Sequence, residues 1–169
     1  AKTVIDVKIE MTTDQQKLYQ AVRVGMQANI VSKIASKGFS RSHIEILDAL
    51  LKLRQVCCHP SLLKLDDVDT SATSAKLETL IDMVLEMVEE GRRILIFSQF
   101  TSMLAIIEAR LKQAKIGSVK LTGQTKKRDE VVATFQQGDT PVFLISLKAG
   151  GTGLNLTTAD TVIHYDPWW

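Results

Sequence analysis

Ser146 to Leu156 reads SLKAGGTGLNL and follows directly on the apolar run Pro141-Val142-Phe143-Leu144-Ile145. A short strand that runs into a loop carrying Gly150, Gly151 and Gly153 has chemical consequences. Glycine lacks a β-carbon, so such a loop can take positive φ and let another molecule approach its backbone closely. Successive backbone N–H groups form an anion-binding concavity. In an open α/β sheet, ligands bind beyond the carboxyl ends of the strands. The chemistry indicated is phosphate contact, and Lys148 adds a charge to it. The same residues also suit a simple tight turn, so the segments around them decide.

Three other clusters have suitable residue types. Ser98, Gln99 and Thr101 follow the apolar run Ile94–Phe97. Short hydroxyl and amide side chains at a strand end suit phosphate oxygens; equally, Thr101 or Ser102 can cap a following helix. Gly123, Thr125 and Arg128 form LTGQTKKR, with Thr125 a candidate N-cap at a helix start that attracts phosphate. Lys126, Lys127 and Arg128 in a first turn oppose the helix dipole at about 0.3–1 kcal/mol each, which fits a turn built to meet an anion. A solvated basic helix end is the plainer reading. Cys57, Cys58 and His59 have no second ligand pair at metal-site spacing, so a helix end with His59 hydrogen-bonded is expected rather than zinc. Ser146, His164 and Asp166 could be drawn as a hydrolase triad, but no GxSxG elbow supports it.

The elements that must position these residues can be read from periodicity. VIDVKI (Val4–Ile9) alternates and predicts a strand. Thr13 with Gln16 has the capping-box spacing. Leu18, Val22, Met26, Ile30 and Ile34 then define one helix face, ended by Gly38. A second helix from about Ser42 should turn Ile46, Leu47, Leu50, Leu51 and Leu53 inward and stop at His59-Pro60, giving an antiparallel hairpin. Asp66–Ala75 reads as an exposed connection. Beyond it the pattern alternates. A helix carries Leu77, Leu80, Ile81, Val84, Leu85 and Val88, and strands follow at Ile94–Phe97, Val119–Thr122, Val142–Ile145 and Thr161–Tyr165. Helices at Ser102–Lys115 and Lys126–Gln137 separate them. This order implies a mostly parallel sheet flanked by helices. Residues 1–75 form the first part and residues 76–169 the second.

Composition sets the frame. Hydrophobic residues are 45% and charged residues 24%, ordinary for a globular domain. No apolar run reaches the roughly 20 residues of a membrane span. Two adjacent cysteines make no disulfide framework, so a reduced intracellular setting is expected. Net charge is only +2. Residues 91–150 nevertheless hold ten Lys/Arg against four Asp/Glu, so the basic excess accompanies the Gly-rich segment.

SLKAGGTGLNL followed by ADTVIHYDPWW resembles the second RecA-like lobe of the Swi/Snf-type DNA-dependent ATPases of helicase superfamily two. LRQVCCHP, ILIFSQFTSML, LTGQT with Arg128, and MTTDQQKLYQ match the same family in the same order and span nearly the whole chain. The resemblance implies a RecA-like lobe bearing an N-terminal helical protrusion and ending before the last helicase motif. It also implies a parent enzyme that uses ATP and Mg2+ to step along double-stranded DNA. Lys148, Gly150, Gly151 and Gly153 would line the nucleotide cleft. Ser98, Gln99, Thr101, Gly123, Thr125, Arg128, Ser146, Lys148 and Trp169 would meet DNA. The chain has no GxxxxGK[ST] loop and no Asp-Glu pair for a metal, so no catalytic residue and no metal ligand is expected in it. The first RecA-like lobe is the implied partner, and self-association through an uncovered sheet face is a further expectation. A non-catalytic module that binds phosphorylated ligands or proteins through the Gly-rich loop is the alternative.

Overall fold

The computed structural model describes residues 4–63, 74–150 and 156–167. Two compact units divide the chain, Ala1–Thr79 and Leu80–Trp169. The division falls inside α3 (Ala75–Glu89). Most of the expected connection over Asp66–Ala75 lies outside the described residues.

In the first unit, α1 (Thr13–Lys37) begins one residue earlier in its cap than the Thr13 pattern predicts. Thr12 is the N-cap, and its Oγ1 accepts from the Gln15 backbone N–H at 3.1 Å. Thr12 and Gln15 have the same spacing as Thr13 and Gln16, so the pattern fixes a cap only to within a residue. Gly38 ends the helix at φ 84°, donating to the Ile34 carbonyl. The alternating stretch Val4–Ile9 is not a strand. Among the described residues nothing pairs with it, and Val4, Ile5 and Val7 are exposed. Alternation yields a strand only where a ladder partner exists.

A single 3-10 turn at Ser40–Ser42 leads to α2 (His43–Cys58). Leu18 and Val22 of α1 pack with Val56 of α2 and with Leu63 in one core, which sets the two helices antiparallel. Met26, Ile30 and Ile34 are half-buried. On α2 the inward face is not the one expected. Ala49 and Val56 are buried and Ile46 and Leu53 half-buried, whereas Leu47, Leu50 and Leu51 are 65%, 46% and 42% exposed. α2 carries apolar residues on two sides. A helix packed on one neighbour buries one stripe, and spacings of three and four place residues 46, 49, 53 and 56 on it.

The core of this unit is polar at one point. Gln15 is fully buried. Its Nε2 donates to the carbonyls of Val56 at 2.7 Å and Cys57 at 3.3 Å, and its Oε1 accepts from the Ala75 N–H at 3.2 Å. One amide thus serves the last turn of α2 and the first residue of α3. Ser74 completes the junction: its Oγ donates to the Cys58 carbonyl and accepts from the Leu77 N–H. Both side chains satisfy helix-end groups that burial would otherwise orphan. His59 is half-buried, and its Nδ1 accepts from the Ser61 N–H at 3.1 Å. Burial pushes its imidazole below the ordinary histidine value. The neutral ring is the folded form, so this contribution is lost as pH falls below about 6.5.

In the second unit, strands β1 (Ile94–Ser98), β2 (Ser118–Leu121), β3 (Val142–Ser146) and β4 (Thr161–His164) form one sheet in the order β2-β3-β1-β4. Every pairing is parallel, with Ser98 opposite Ser146 and Phe97 opposite His164. All four expected strands are present to within a residue. Leu95, Leu121, Phe143 and Ile145 face one core with Phe135 of α5 (Arg128–Gln137) and Ala149 of α6 (Leu147–Gly150). By alternation Ile94, Ile96, Val142 and Leu144, all fully buried, face the other side. The chain moves left from β1 to β2 and right from β2 to β3, so right-handed crossovers put α4 (Thr101–Gln113) and α5 on opposite faces. Met103, Leu104, Ile107 and Leu111 of α4 are fully buried. Along α3, Leu77, Leu80, Ile81 and Val84 are buried as expected, Val88 is half-buried, and Leu85 is 38% exposed.

Gly150 is a glycine for an internal reason. It lies in α6 rather than in a loop, and its φ is not positive. A β-carbon there would stand 2.7 Å from Phe97 Cε1 and 3.1 Å from Ile145 Cγ2. The close approach that the sequence suggests is real, but the molecule approached is the chain itself.

Two substitutions test these packing arguments. Gln15→Ala strands the Val56 carbonyl and the Ala75 N–H and should cost about 2–4 kcal/mol, read as a lowered urea midpoint at unchanged slope. Gly150→Ala should cost about 1–3 kcal/mol by overpacking, and the double variant Gly150→Ala/Phe97→Leu should recover most of it. A single Gly150→Ala variant as stable as the wild type would show that the Phe97 ring yields freely.

Candidate functional site

The strand order sets where the sheet's connections diverge. β1 and β3 are neighbours, yet the chain leaves β1 toward α4 on one face and leaves β3 toward α6 on the other. The crevice opened by such a divergence, at the carboxyl ends, is the ligand-binding place in open α/β sheets. Ser98 and Ser146 are the paired residues at its floor.

Both serines are buried and hydrogen-bonded inside the protein. Ser98 Oγ donates to Asp166 Oδ2 at 2.5 Å and accepts from the Phe100 N–H at 3.1 Å. Asp166 Oδ1 accepts from the Gln99 N–H at 2.8 Å. Asp166 is 4% exposed, and its two oxygens tie the segment after β4 to the segment after β1. Ser146 Oγ accepts from the Ala149 N–H at 3.2 Å, capping the single turn of α6. Asp166 and Ser146 are thus engaged elsewhere, which leaves the Ser146–His164–Asp166 triad without its hydrogen bonds. His164 instead stacks on Phe97, ring centroids 5.4 Å apart.

The groups presented outward differ from those on the floor. Lys148 is exposed on α6 and Thr101 is exposed as the first residue of α4. The N-cap of α4 is Phe100, so neither Thr101 nor Ser102 has the capping role their types suggest. The LTGQT element forms a tight turn after β2. Thr125 Oγ1 accepts from the Thr122 N–H at 2.9 Å, and Thr122 Oγ1 accepts from the Gln124 N–H at 3.2 Å. Thr125 therefore closes this turn and does not cap α5, whose N-cap is Lys127. α5 begins at Arg128, with Asp129 and Glu130 in its first turn, so the helix dipole meets two favourable charges and one opposing one. Lys126 and Lys127 lie before the helix, exposed together with Gly123. The Arg128 guanidinium donates from Nη2 to the Ala149 carbonyl.

Gly151, Gly153 and Trp169 lie outside the described residues. The described part places Ser98, Gln99 and Thr101 at the end of β1 and Ser146 and Lys148 at the end of the neighbouring β3. Arg128 reaches that assembly through Ala149. Asp166 is the residue sequence reasoning passed over: its signal, an acid just beyond the last strand, was read only as a triad candidate. Among the described residues, no group of three His, Cys, Asp or Glu side chains is placed to hold a metal ion. No helix among them is long and apolar enough to cross a membrane.

Comparisons with known proteins agree with this geometry. Residues 75–169 match the helicase conserved C-terminal domain. The uncharacterized ATP-dependent helicase MG018 of Mycoplasma genitalium is 33% identical over 99% of this chain, and the matched stretch is 16% of that protein. The chain thus spans under a fifth of the length of the curated relatives it matches. The Sulfolobus solfataricus SWI2/SNF2 ATPase C-terminal domain superposes with a TM-score of 0.80 at 34% identity, covering 98% of this chain and 72% of that one. The Sulfolobus solfataricus SWI2/SNF2 ATPase core in complex with dsDNA gives a TM-score of 0.80 at 32% identity, covering 98% of this chain and 35% of that one. The sheet order, the matched domain and the structural likeness coincide, and the chain belongs to the helicase conserved C-terminal domain family as a lobe of the Swi2/Snf2 ATPase type.

Proposed function

We propose that this chain is the second motor lobe of an ATP-dependent double-stranded DNA translocase. It grips the phosphate backbone and forms one wall of an ATP cleft completed by a first RecA-like lobe. The observation that carries this reading is the divergence at Ser98 and Ser146, with the exposed residues Thr101 and Lys148 beside it. The similar lobe in the dsDNA complex supports the choice of ligand. Thr101 contacts backbone phosphates, as do Lys126, Lys127 and the Gly123 backbone on the turn after β2. Such contacts position a protein on DNA without reading its sequence. Ser98, Ser146 and Asp166 hold the floor of the crevice and orient Gln99.

ATP, when bound with Mg2+, supplies the phosphoanhydride whose hydrolysis drives stepping. The exposed cation Lys148 on a turn fixed by Ser146 fits a phosphate oxygen of that nucleotide. The described residues offer no carboxylate set for Mg2+, and the sequence has no P-loop. The metal and the β- and γ-phosphates are therefore held by the other lobe, and this chain contributes a wall and an orienting charge.

Two measurements test the reading. Duplex DNA binding by the chain should be independent of sequence. Log K should fall against log salt with a slope of roughly −2 to −4, as about 2–4 phosphate contacts predict. Lys126→Ala/Lys127→Ala should make the slope shallower by about 2 units on every sequence tested. Phosphate release by the isolated chain with ATP and saturating duplex should stay at background. Sequence-selective binding, or DNA-stimulated turnover that survives repurification, would defeat the assignment.

A further inference from the structure

Arg128 has no reason to open α5 on its own helix's account. A cation in the first turn opposes the dipole. Its guanidinium instead crosses 21 residues of sequence to the Ala149 carbonyl, at 2.5 Å. That carbonyl belongs to a residue held on every other side. The Ala149 N–H is bonded to Ser146 Oγ, its side chain is 5% exposed in the core beside Ile145, and Gly150 lies tight under Phe97. Lys148 rides on this clamped turn as its exposed member. At the other end of the bond, Arg128 follows directly on the exposed Lys126 and Lys127. One half-buried side chain therefore links the basic turn after β2 to the turn that carries Lys148.

We propose that Arg128 is a positioning residue that transmits DNA engagement at the 122–127 turn to Lys148 through the Ala149 carbonyl. It is not itself a phosphate ligand. This rests on the motor-lobe reading above. A phosphate gripped by Lys126 and Lys127 fixes the start of α5, the guanidinium moves with it, and the Ala149 carbonyl follows. The planar guanidinium fork suits this task, because it is pre-organised to hold a fixed hydrogen-bond geometry. Lysine keeps the charge on a flexible stem with a point-like head.

The test uses the full-length protein that carries this chain, with Arg128→Lys and Arg128→Gln beside Lys126→Ala/Lys127→Ala. Three quantities are read: duplex Kd, the ratio of DNA-stimulated to DNA-free ATP turnover, and hydrogen exchange of the peptide covering residues 143–150 with and without duplex. Arg128→Lys should leave Kd within about twofold, since the charge is kept. The same variant should lower the stimulation ratio at least tenfold and abolish the DNA-induced protection of 143–150. The double lysine variant removes the grip that starts the transmission, so it should weaken Kd and also lower both the stimulation ratio and the protection of 143–150 at saturating DNA. If Arg128→Lys behaves as wild type while Arg128→Gln only weakens Kd, Arg128 is a phosphate ligand and the coupling is overturned. If both Arg128 variants lose cooperative thermal unfolding, the residue serves the fold alone and the coupling is likewise overturned. A wild-type protein without DNA-stimulated turnover would instead sink the motor reading itself, and the coupling with it.

Discussion

A buried carboxylate ties together the carboxyl end of the sheet. Asp166 lies just beyond β4, and its oxygens receive the Ser98 hydroxyl and the Gln99 N–H at the end of β1. An ionised carboxylate withdrawn from water is costly unless hydrogen bonds replace its hydration, and charge-assisted bonds are the strong ones. The arrangement therefore has one low-energy geometry. It fixes the direction in which the chain leaves β1, and so the start of α4 at Thr101. The parallel sheet supplies the place, and Asp166 supplies the precision with which two of its strand ends meet.

Much of this fold was legible because its signals are redundant. The strands of the second unit combine apolar runs with bounding glycines and a strict alternation with helices, and each was located to within a residue. The misreadings arose where a pattern needed a partner to mean anything. VIDVKI alternates as a strand should, but a strand is a property of a ladder, and none of the described strands pairs with it. Leu47, Leu50 and Leu51 read as core because they are leucines. With one neighbouring helix only one stripe can be covered, and Ala49 and Val56 occupy it. Gln15 shows the converse. A polar residue outside the apolar series of α1 is fully buried, because three backbone groups at the ends of α2 and α3 need a side chain to satisfy them.

At the site, residue types were legible and roles were not. Glycine at position 150 signalled a close approach. The sequence could not say whether the approaching atoms belong to a ligand or to Phe97. Thr125 signalled a local hydrogen bond, and it makes one, though to the turn rather than to the helix. Arg128 signalled an anion, and its geometry answers with a carbonyl oxygen. A guanidinium and a backbone carbonyl separated by 21 residues leave no trace in local spacing. Only the topology, which brings the start of α5 alongside the end of β3, makes that bond possible.

The same topology explains why serine stands at both 98 and 146. These residues are partners on adjacent parallel strands, so their side chains point to one face of the sheet. Directly beyond them the two chains part toward opposite faces, and each must begin a new element within a few residues. A large side chain at either position would occupy the crevice that the divergence opens. A purely apolar one would leave the first N–H groups of the departing segments without partners. A hydroxyl does neither. Ser98 serves the Phe100 N–H and the Asp166 carboxylate, and Ser146 serves the Ala149 N–H. The buried pair thus fixes the starts of both departing segments, beside which Thr101 and Lys148 are exposed.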